Sequence, residues 1–240
     1  MTMSPFAESS RLLAAVFYAP RRALRAVAER HVILPALLVA TVATVIQGAV
    51  LVPRLDFEGA VVEQLARHSE RTEMTPHEMD RALARGRKVG AIGTLASALV
   101  TPSLTALLVA FAFWLGVRVI GKKSPFLPLL AVTSVASLPT ALRALLSLPA
   151  IIVRPVIQTS ELPRLFPSNL AYFFNASRPI GTVLDAIDLF TLWSLALVVL
   201  GTTAVTGERV QRVAVLGVVL WVSYVAVFHF ALPRLGGAPR

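Results

Sequence analysis

The sequence predicts an all-α, polytopic membrane helix bundle with five transmembrane helices and an N-terminal interfacial amphipathic segment. Hydrophobic residues make up 56% of its 240 residues and charged residues only 15%, whereas a soluble domain has roughly 45–50% and about 25%. Five charge-free runs are each near or above the roughly 18 residues that indicate a membrane-spanning helix. They cover 32–53, 89–117, 124–142, 189–207 and 213–233. This pattern excludes a disordered chain and argues against a water-soluble fold.

The runs divide the chain into an N-terminal segment, 1–31, and a membrane domain, 32–233. We expect a polar helical loop at 54–88, because this stretch carries seven Lys or Arg and seven Asp or Glu. Thr75-Pro76-His77-Glu78 has the spacing of a helix N-cap with proline at the first helical position. The second helix of this loop should run directly into the second span. The five predicted spans are about 32–53, 89–118, 126–153, 182–205 and 211–232.

The N-terminal segment predicts two short helices, divided at Ala19-Pro20. Proline cannot continue the first helix, and apolar residues recur at helical spacing on either side of the break. Two arrangements remain open: the helices lie in the membrane interface, or they pack on the end of the bundle. The apolar residues that define the first helix are Phe6, Leu12, Leu13, Val16 and Phe17.

The formal charge of +10 is carried mainly by cations that flank the apolar runs. Cations in these places favour contact with anionic lipids in the bilayer over binding of nucleic acid, and no motif for DNA or RNA accompanies them. Their density near the N-terminal side favours a cytoplasmic N-terminus in a cell membrane. The expected interfacial lipid contacts are Arg21, Arg22 and Arg25.

Small residues and prolines inside the spans predict how the helices pack. In the first span, small residues recur at four-residue intervals, and such a ladder lets another helix approach closely. Pro102 in the second span and Pro139 in the third each predict a helix kink, where nearby hydroxyls can bind the freed carbonyls. The members of the ladder are Ala36, Ala40, Thr44 and Gly48.

Two charged residues interrupt the predicted spans, Arg143 in the third and Asp188 in the fourth. A charge at the centre of an inserted helix costs about 2.5–3.5 kcal/mol, so each needs a partner or a route to water. Arg143 lies about 15 Å and Asp188 about 9 Å from the same surface, an offset that an arginine can span. We therefore predict that Arg143 pairs with Asp188, with Asp185 as the alternative partner. Such a pair is either a packing clamp or a substrate or proton site of a carrier. A third interpretation is that the two side chains do not pair and that they extend separately to opposite membrane interfaces.

No motif for covalent chemistry is visible in the sequence. It contains no cysteine, which excludes disulfides and thiolate metal sites. It also lacks a nucleophile elbow and a phosphate-binding glycine-rich loop. His68 and His77 match no metal-binding spacing. We therefore expect a protein that is not an enzyme and that has no metal or cofactor.

Three short motifs resemble the bacterial branch of the Yip-domain family. They are Phe17-Tyr18-Ala19-Pro20, Leu34-Pro35-Ala36-Leu37-Leu38 and Asp188-Leu189-Phe190-Thr191-Leu192-Trp193. The resemblance implies a five-helix integral membrane domain with a cytoplasmic N-terminus. Eukaryotic members are known as Rab-GTPase-interacting membrane scaffolds of vesicle traffic rather than enzymes. The resemblance thus implies a membrane scaffold or partner-binding protein. The alternative is a small-solute or ion carrier, or a carrier subunit, that uses Arg143 and Asp188.

Overall fold

The structure is a computed structural model that describes residues 5–68, 75–174 and 180–227. Within these ranges the regular structure is helical, with two isolated β-bridges. This architecture confirms the predicted all-α membrane helix bundle. The α-helices are α1 Pro5–Tyr18, α2 Pro20–Arg30, α3 Leu34–Leu51, α4 Phe57–His68, α5 Pro76–Val119, α6 Phe126–Ala136, α7 Leu138–Leu146, α8 Leu148–Ile152, α9 Ile180–Ala186, α10 Leu189–Thr206 and α11 Val210–Val225.

Four stretches of the described chain are long and apolar enough to cross a membrane. The fifth predicted span coincides with α11, an apolar helix of 16 residues. Its predicted end at 228–232 lies outside the described residues, so the count of five spans stays a prediction. The four long stretches are Leu34–Arg54, Pro76–Val119, Phe126–Ile152 and Leu189–Thr206.

The fourth span begins later than the sequence predicted. The expected helix over 182–205 is divided into α9 and α10, and α10 begins only at Leu189. Asp188 has an extended backbone and accepts a hydrogen bond from the Thr191 N–H, which is the geometry of an N-cap. The predicted start near Thr182 is therefore wrong, because the carboxylate directly ahead of the apolar run caps that run.

The third span is interrupted at Ser137 and at Ser147, which separate α6, α7 and α8. Each serine is followed by Leu-Pro, and proline removes a backbone hydrogen-bond donor from the helix. The Ser137 hydroxyl donates to the Ser134 carbonyl at 2.7 Å, and the Ser147 hydroxyl donates to the Ala144 carbonyl at 2.8 Å. Gln47 Nε2 of α3 donates to the Ser147 Oγ at 2.8 Å. The protein thus supplies the partners that lipid cannot provide.

The two prolines predicted to kink helices occupy different positions. Pro102 is buried inside α5, and the helix continues through it from Pro76 to Val119. Pro139 lies in the first turn of α7, where its missing N–H would have no helical partner in any case. The third span therefore starts a new helical segment at Leu138, with Pro139 in its first turn.

The small residues of α3 lie inside the bundle. Ala36, Ala40 and Gly48 are buried. The Thr44 hydroxyl donates to the Ala98 carbonyl of α5 at 2.8 Å. A Cβ on Gly48 would lie 3.4 Å from the Ala98 Cβ. Thr44 and Gly48 of the ladder therefore lie close to the backbone of α5, whereas Ala40 clusters with Ala141 of α7.

The amphipathic helices α1 and α2 pack against the spans, with their break at Ala19. Leu24 and Val27 are fully buried in the core that also contains residues of α6 and α10. Phe17 meets Trp193 of α10 edge-on, with 5.4 Å between the ring centroids. The helices therefore pack on the bundle, and whether they also lie in the membrane interface stays a prediction. The exposed face of α2 carries Arg21, Arg22 and Arg25.

Helix α5 begins at a capping box formed by Thr75 and Glu78. The Glu78 N–H donates to the Thr75 Oγ1 at 3.4 Å, and the Thr75 N–H donates to the Glu78 Oε2 at 2.8 Å. Two hydrogen bonds lower the pKa of the Glu78 carboxyl from its ordinary 4.5. The larger effect comes from the Thr75 N–H and the smaller one from the Thr75 hydroxyl. This cap fixes the start of the longest helix in the described chain.

Helix α4 folds back onto the first turns of α5. A Cβ on Gly86 would collide with Val61, and a Cβ on Gly90 would collide with Phe57, so these two glycines allow the close approach. Helix α5 has 44 residues. At about 1.5 Å per residue it is about 66 Å long, roughly twice the ~30 Å hydrocarbon core. Its N-terminal part therefore projects from the bilayer together with α4.

Valine in place of Gly90 should separate α4 from α5, because its side chain would occupy the space of the Phe57 ring. Overpacking of this kind costs about 1–3 kcal/mol in the free energy of unfolding. Limited proteolysis should then cut α4 faster than in the parent protein. Gly93→Val is the matched control on the same helix, since a Cβ there meets nothing within 4 Å. Equal sensitivity of both variants would contradict the close packing.

Candidate functional site

Asp188 forms the polar contacts between the third and fourth spans. Its side chain is 5% exposed. Arg143 Nη1 lies 3.3 Å from Asp188 Oδ2, and the Ser168 hydroxyl donates to the same oxygen. The other oxygen, Oδ1, accepts from the Thr191 N–H at 3.0 Å and from the Thr191 hydroxyl at 3.2 Å. Both oxygens of the carboxylate are therefore held by groups of the protein.

A short antiparallel bridge brings Ser168 to this site. Asn169 pairs with Asp188, and the Leu189 N–H donates to the Ser168 carbonyl at 2.8 Å. The loop that follows the third span is thereby attached to the first residue of α10. Asp188 thus joins three parts of the chain, which are α7, this loop and α10.

The structure corrects the depth that the sequence assigned to Asp188. The residue is the N-cap of α10 and not an interior residue of the span. The side chain of Arg143 is 43% exposed, so its guanidinium keeps access to the surroundings while it contacts Asp188. An ion pair near the end of a span loses less hydration than one at the centre, and arginine can extend toward the interface.

Asp185, the alternative partner, is not paired with Arg143 among the described residues. Its Oδ1 atom is buried and has no hydrogen-bond partner in the described part of the chain. Asp185 lies in α9, ahead of the break at Ile187. In the structure Arg143 therefore contacts Asp188 and not the alternative partner, Asp185. Whether the pair serves a structural or a transport role stays a prediction.

A second buried carboxylate, Glu208, lies in the turn between α10 and α11. Its side chain is 5% exposed and contacts Lys122 Nζ at 3.8 Å and Arg212 Nη1 at 3.4 Å. The Arg209 N–H donates to it at 2.9 Å. This hydrogen bond, aided by the charges of Arg212 and Lys122, holds the pKa of Glu208 below its ordinary 4.5. The ionised carboxylate therefore ties the α5–α6 turn to the α10–α11 turn.

Cations beside this ion pair line an open depression of about 610 Å³. The Arg118 guanidinium lies over the Trp114 ring, with 3.9 Å between its Cζ and the ring centroid, which is a favourable cation–π distance. Trp114 Nε1 donates to the Ser124 carbonyl at 3.2 Å. These contacts hold Arg118 at the rim. The lining residues are Arg118, Gly121, Lys122, Lys123, Ser124 and Pro125.

Sequence reasoning did not identify Ser168, Thr191 or Glu208 as site residues. For Thr191 a signal was present, because Asp-x-x-Thr ahead of an apolar run has N-cap spacing. Glu208 lies between two apolar runs, and its neighbours in the sequence do not indicate a contact with Lys122. The contact of Ser168 depends on a loop that returns to the chain 20 residues later, and no local pattern predicts it.

These features define an integral, multi-pass helical membrane protein, whose spans are joined by polar contacts at their ends and interruptions. The family model described as the Yip1 domain matches residues 14–232. The chain therefore belongs to the Yip1-domain family, as the short motifs led us to expect. No curated protein and no solved structure matches the chain.

Substitutions at Asp188 should separate its capping role from its ion pairing. Alanine removes both, whereas asparagine keeps a side-chain oxygen that can cap α10. We expect Asp188→Ala to lower the free energy of unfolding by about 1–3 kcal/mol, and Asp188→Asn to lower it by less. Unfolding in detergent micelles, followed by circular dichroism, measures both values.

Arg143→Gln completes the double-mutant cycle with Asp188→Asn. If the side chains stabilise each other directly, the double variant loses less stability than the sum of the two single variants, by about 0.5 kcal/mol or more. Strict additivity would contradict an energetic contact between Arg143 and Asp188.

Proposed function

We propose that this member of the Yip1-domain family is a non-enzymatic membrane scaffold that binds a protein partner at the bilayer. The observation that carries the proposal is that both oxygens of the Asp188 carboxylate already have partners, which are Arg143, Ser168 and Thr191. A carrier carboxylate has to release its partners to receive a substrate or a proton. The depression near Lys122 and a cavity of about 350 Å³ beside α4 are both lined by other residues. These observations favour a packing clamp over a transport site.

The partner-binding part that we infer is the hairpin formed by α4 and the first turns of α5, residues 57–68 and 76–90. It projects from the bilayer, and the contacts at Gly86 and Gly90 hold its two helices together. A surface that is already ordered loses little conformational entropy when it binds. Val62 is an exposed apolar residue on α4. The exposed charged residues of the hairpin include Glu58, Asp80, Arg81, Arg85, Arg87 and Lys88.

We further propose a bacterial cell membrane with the N-terminus in the cytoplasm, where α2 contacts anionic lipids. The motifs of the bacterial branch support the first part of this proposal. Arginine and lysine are denser in the short segments on the N-terminal side of the bundle than in the longer loops on the other side. Such an excess of cations marks the cytoplasmic side. The exposed arginines of α2 can reach anionic head groups there.

The alternative is a small-solute or ion carrier, and one observation favours it. Asp185 Oδ1, three residues before Asp188, is buried without a hydrogen-bond partner in the described chain. An unpaired buried carboxylate oxygen is costly, and a bound proton or cation would relieve that cost. A carrier requires that this region opens to both sides of the membrane in turn.

Thiol labelling distinguishes a scaffold from a carrier, since the chain contains no cysteine. Ala144 adjoins Arg143 and is 3% exposed. In sealed vesicles Ala144→Cys should resist membrane-impermeant thiol reagents from either side. The controls Ala84→Cys and Lys123→Cys are exposed at opposite ends of α5 and should each react from one side, the two sides being opposite. Labelling of Ala144→Cys from both sides would support a carrier and contradict the scaffold.

Site-specific photo-crosslinking tests the hairpin as the partner-binding part. A benzophenone amino acid at Ala84, in intact cells, should give a discrete crosslink to a protein. The Gly90→Val substitution should weaken this product, because it separates α4 from α5. The same probe at Lys123, at the other end of α5, is the matched control and should not give that product. An unchanged product in the Gly90→Val background would contradict a site that needs the assembled hairpin.

A further inference from the structure

We propose that the depression lined by Arg118, Lys122 and Lys123 binds the phosphate head group of an anionic phospholipid. The site lies at the turn between α5 and α6, at the opposite end of α5 from the α4–α5 hairpin. It goes beyond the scaffold role and does not depend on it. It is also distinct from the arginine face of α2, since the two involve different residues of different helices.

The charge around the depression is strongly unbalanced toward cations. Arg118 and Lys123 form no ion pair within the described ranges of the chain. Glu208 is the carboxylate that contacts this turn, and it already binds both Lys122 and Arg212. One carboxylate therefore faces several cations. An anionic ligand would neutralise this excess, and a phosphate accepts hydrogen bonds from both arginine and lysine.

Two of the three cations, Arg118 and Lys122, are held in place before any ligand arrives. Trp114 holds the Arg118 guanidinium, and its own Nε1 is bound to the Ser124 carbonyl. Glu208 holds Lys122 from the other side of the turn. Because these long side chains are already restrained, binding costs less of their conformational entropy than it would at a free surface. These restraints distinguish Arg118 and Lys122 from cations that merely flank a span.

The surroundings of the depression favour a lipid over a soluble phosphate. Phe111 and Leu115 are exposed on α5, and Leu127 is exposed on α6. In a membrane these side chains face acyl chains. The cations lie where α5 ends, at the level where the hydrocarbon gives way to head groups. A phospholipid can therefore contact the cations with its phosphate and the apolar side chains with its tails.

Trp114 provides a local probe of this site. The chain has three tryptophans, so Trp193→Phe with Trp221→Phe leaves Trp114 as the single one. The full-length protein is reconstituted in phosphatidylcholine vesicles with increasing fractions of brominated phosphatidylglycerol or brominated phosphatidylcholine. Bromine quenches only a nearby tryptophan. The ratio of the two quenching curves within each variant reports lipid preference at Trp114, independent of its absolute fluorescence.

We expect brominated phosphatidylglycerol to quench Trp114 at clearly lower fractions than brominated phosphatidylcholine. Arg118→Gln with Lys123→Gln removes the two cations that Glu208 does not hold, and it leaves the Lys122–Glu208 pair intact. Since a cation near an anionic surface contributes roughly a fivefold preference, this variant should lose about tenfold or more of the selectivity. Retained selectivity in this variant, or no selectivity in the parent, would overturn the proposal.

Two controls test whether the selectivity at Trp114 comes from this depression, from the cations of α2 or from a site for free phosphate. Arg21→Gln, Arg22→Gln and Arg25→Gln together remove the cations of α2 and should leave the selectivity at Trp114 unchanged. Loss of selectivity only in the α2 variant would overturn the head-group site while it preserves the proposed lipid contact of α2. Soluble glycerol phosphate should not compete with brominated phosphatidylglycerol. Full competition would show a site for free phosphate and would also overturn the proposal. Circular dichroism confirms that each variant is folded.

Discussion

The hydrocarbon core of a bilayer offers no hydrogen-bond partner, and the arrangement of this bundle depends on that constraint. Its polar side chains therefore lie where helices cross or are interrupted. At the breaks of the third span, the Ser137 and Ser147 hydroxyls bind carbonyls of the preceding turn, and Gln47 binds the Ser147 hydroxyl. The Thr133 hydroxyl donates to the Ala106 carbonyl of α5 at 3.0 Å. The bonds from Gln47 and from Thr133 join different spans and so help to fix which helices are neighbours.

The same constraint explains how a buried carboxylate persists at the start of α10. Asp188 caps the helix, accepts from Ser168 and contacts Arg143, so it has no unpaired oxygen to be hydrated. Replacement of one partner would leave the other charge poorly compensated, which costs more than the pair itself contributes. Under the scaffold role that we propose, the pair would serve to fix the position of α7 relative to α10 and not to add net stability.

Local signals in the sequence predicted much of this fold. The capping box at Thr75, the break at Ala19 and the apolar runs all depend on neighbouring residues, and the structure has helices that begin and end accordingly. Asp188 was misplaced because an acidic residue at the edge of an apolar run can be interpreted as a cap or as an interior charge. The contacts of Ser168 and Glu208 join distant segments. They follow from tertiary packing, which no single stretch of sequence encodes.

Helix α5 connects the two surfaces to which we assign binding. It runs without interruption from the cap at Thr75, through the buried Pro102, to Arg118 beside the cationic depression. A head group held at Arg118 would fix this end of α5 at the level of the lipid phosphates. Because a continuous helix rises about 1.5 Å per residue, the level of that end then determines how far the α4–α5 hairpin projects on the other side. Lipid binding at one end would in this way set the height at which a partner is held at the other.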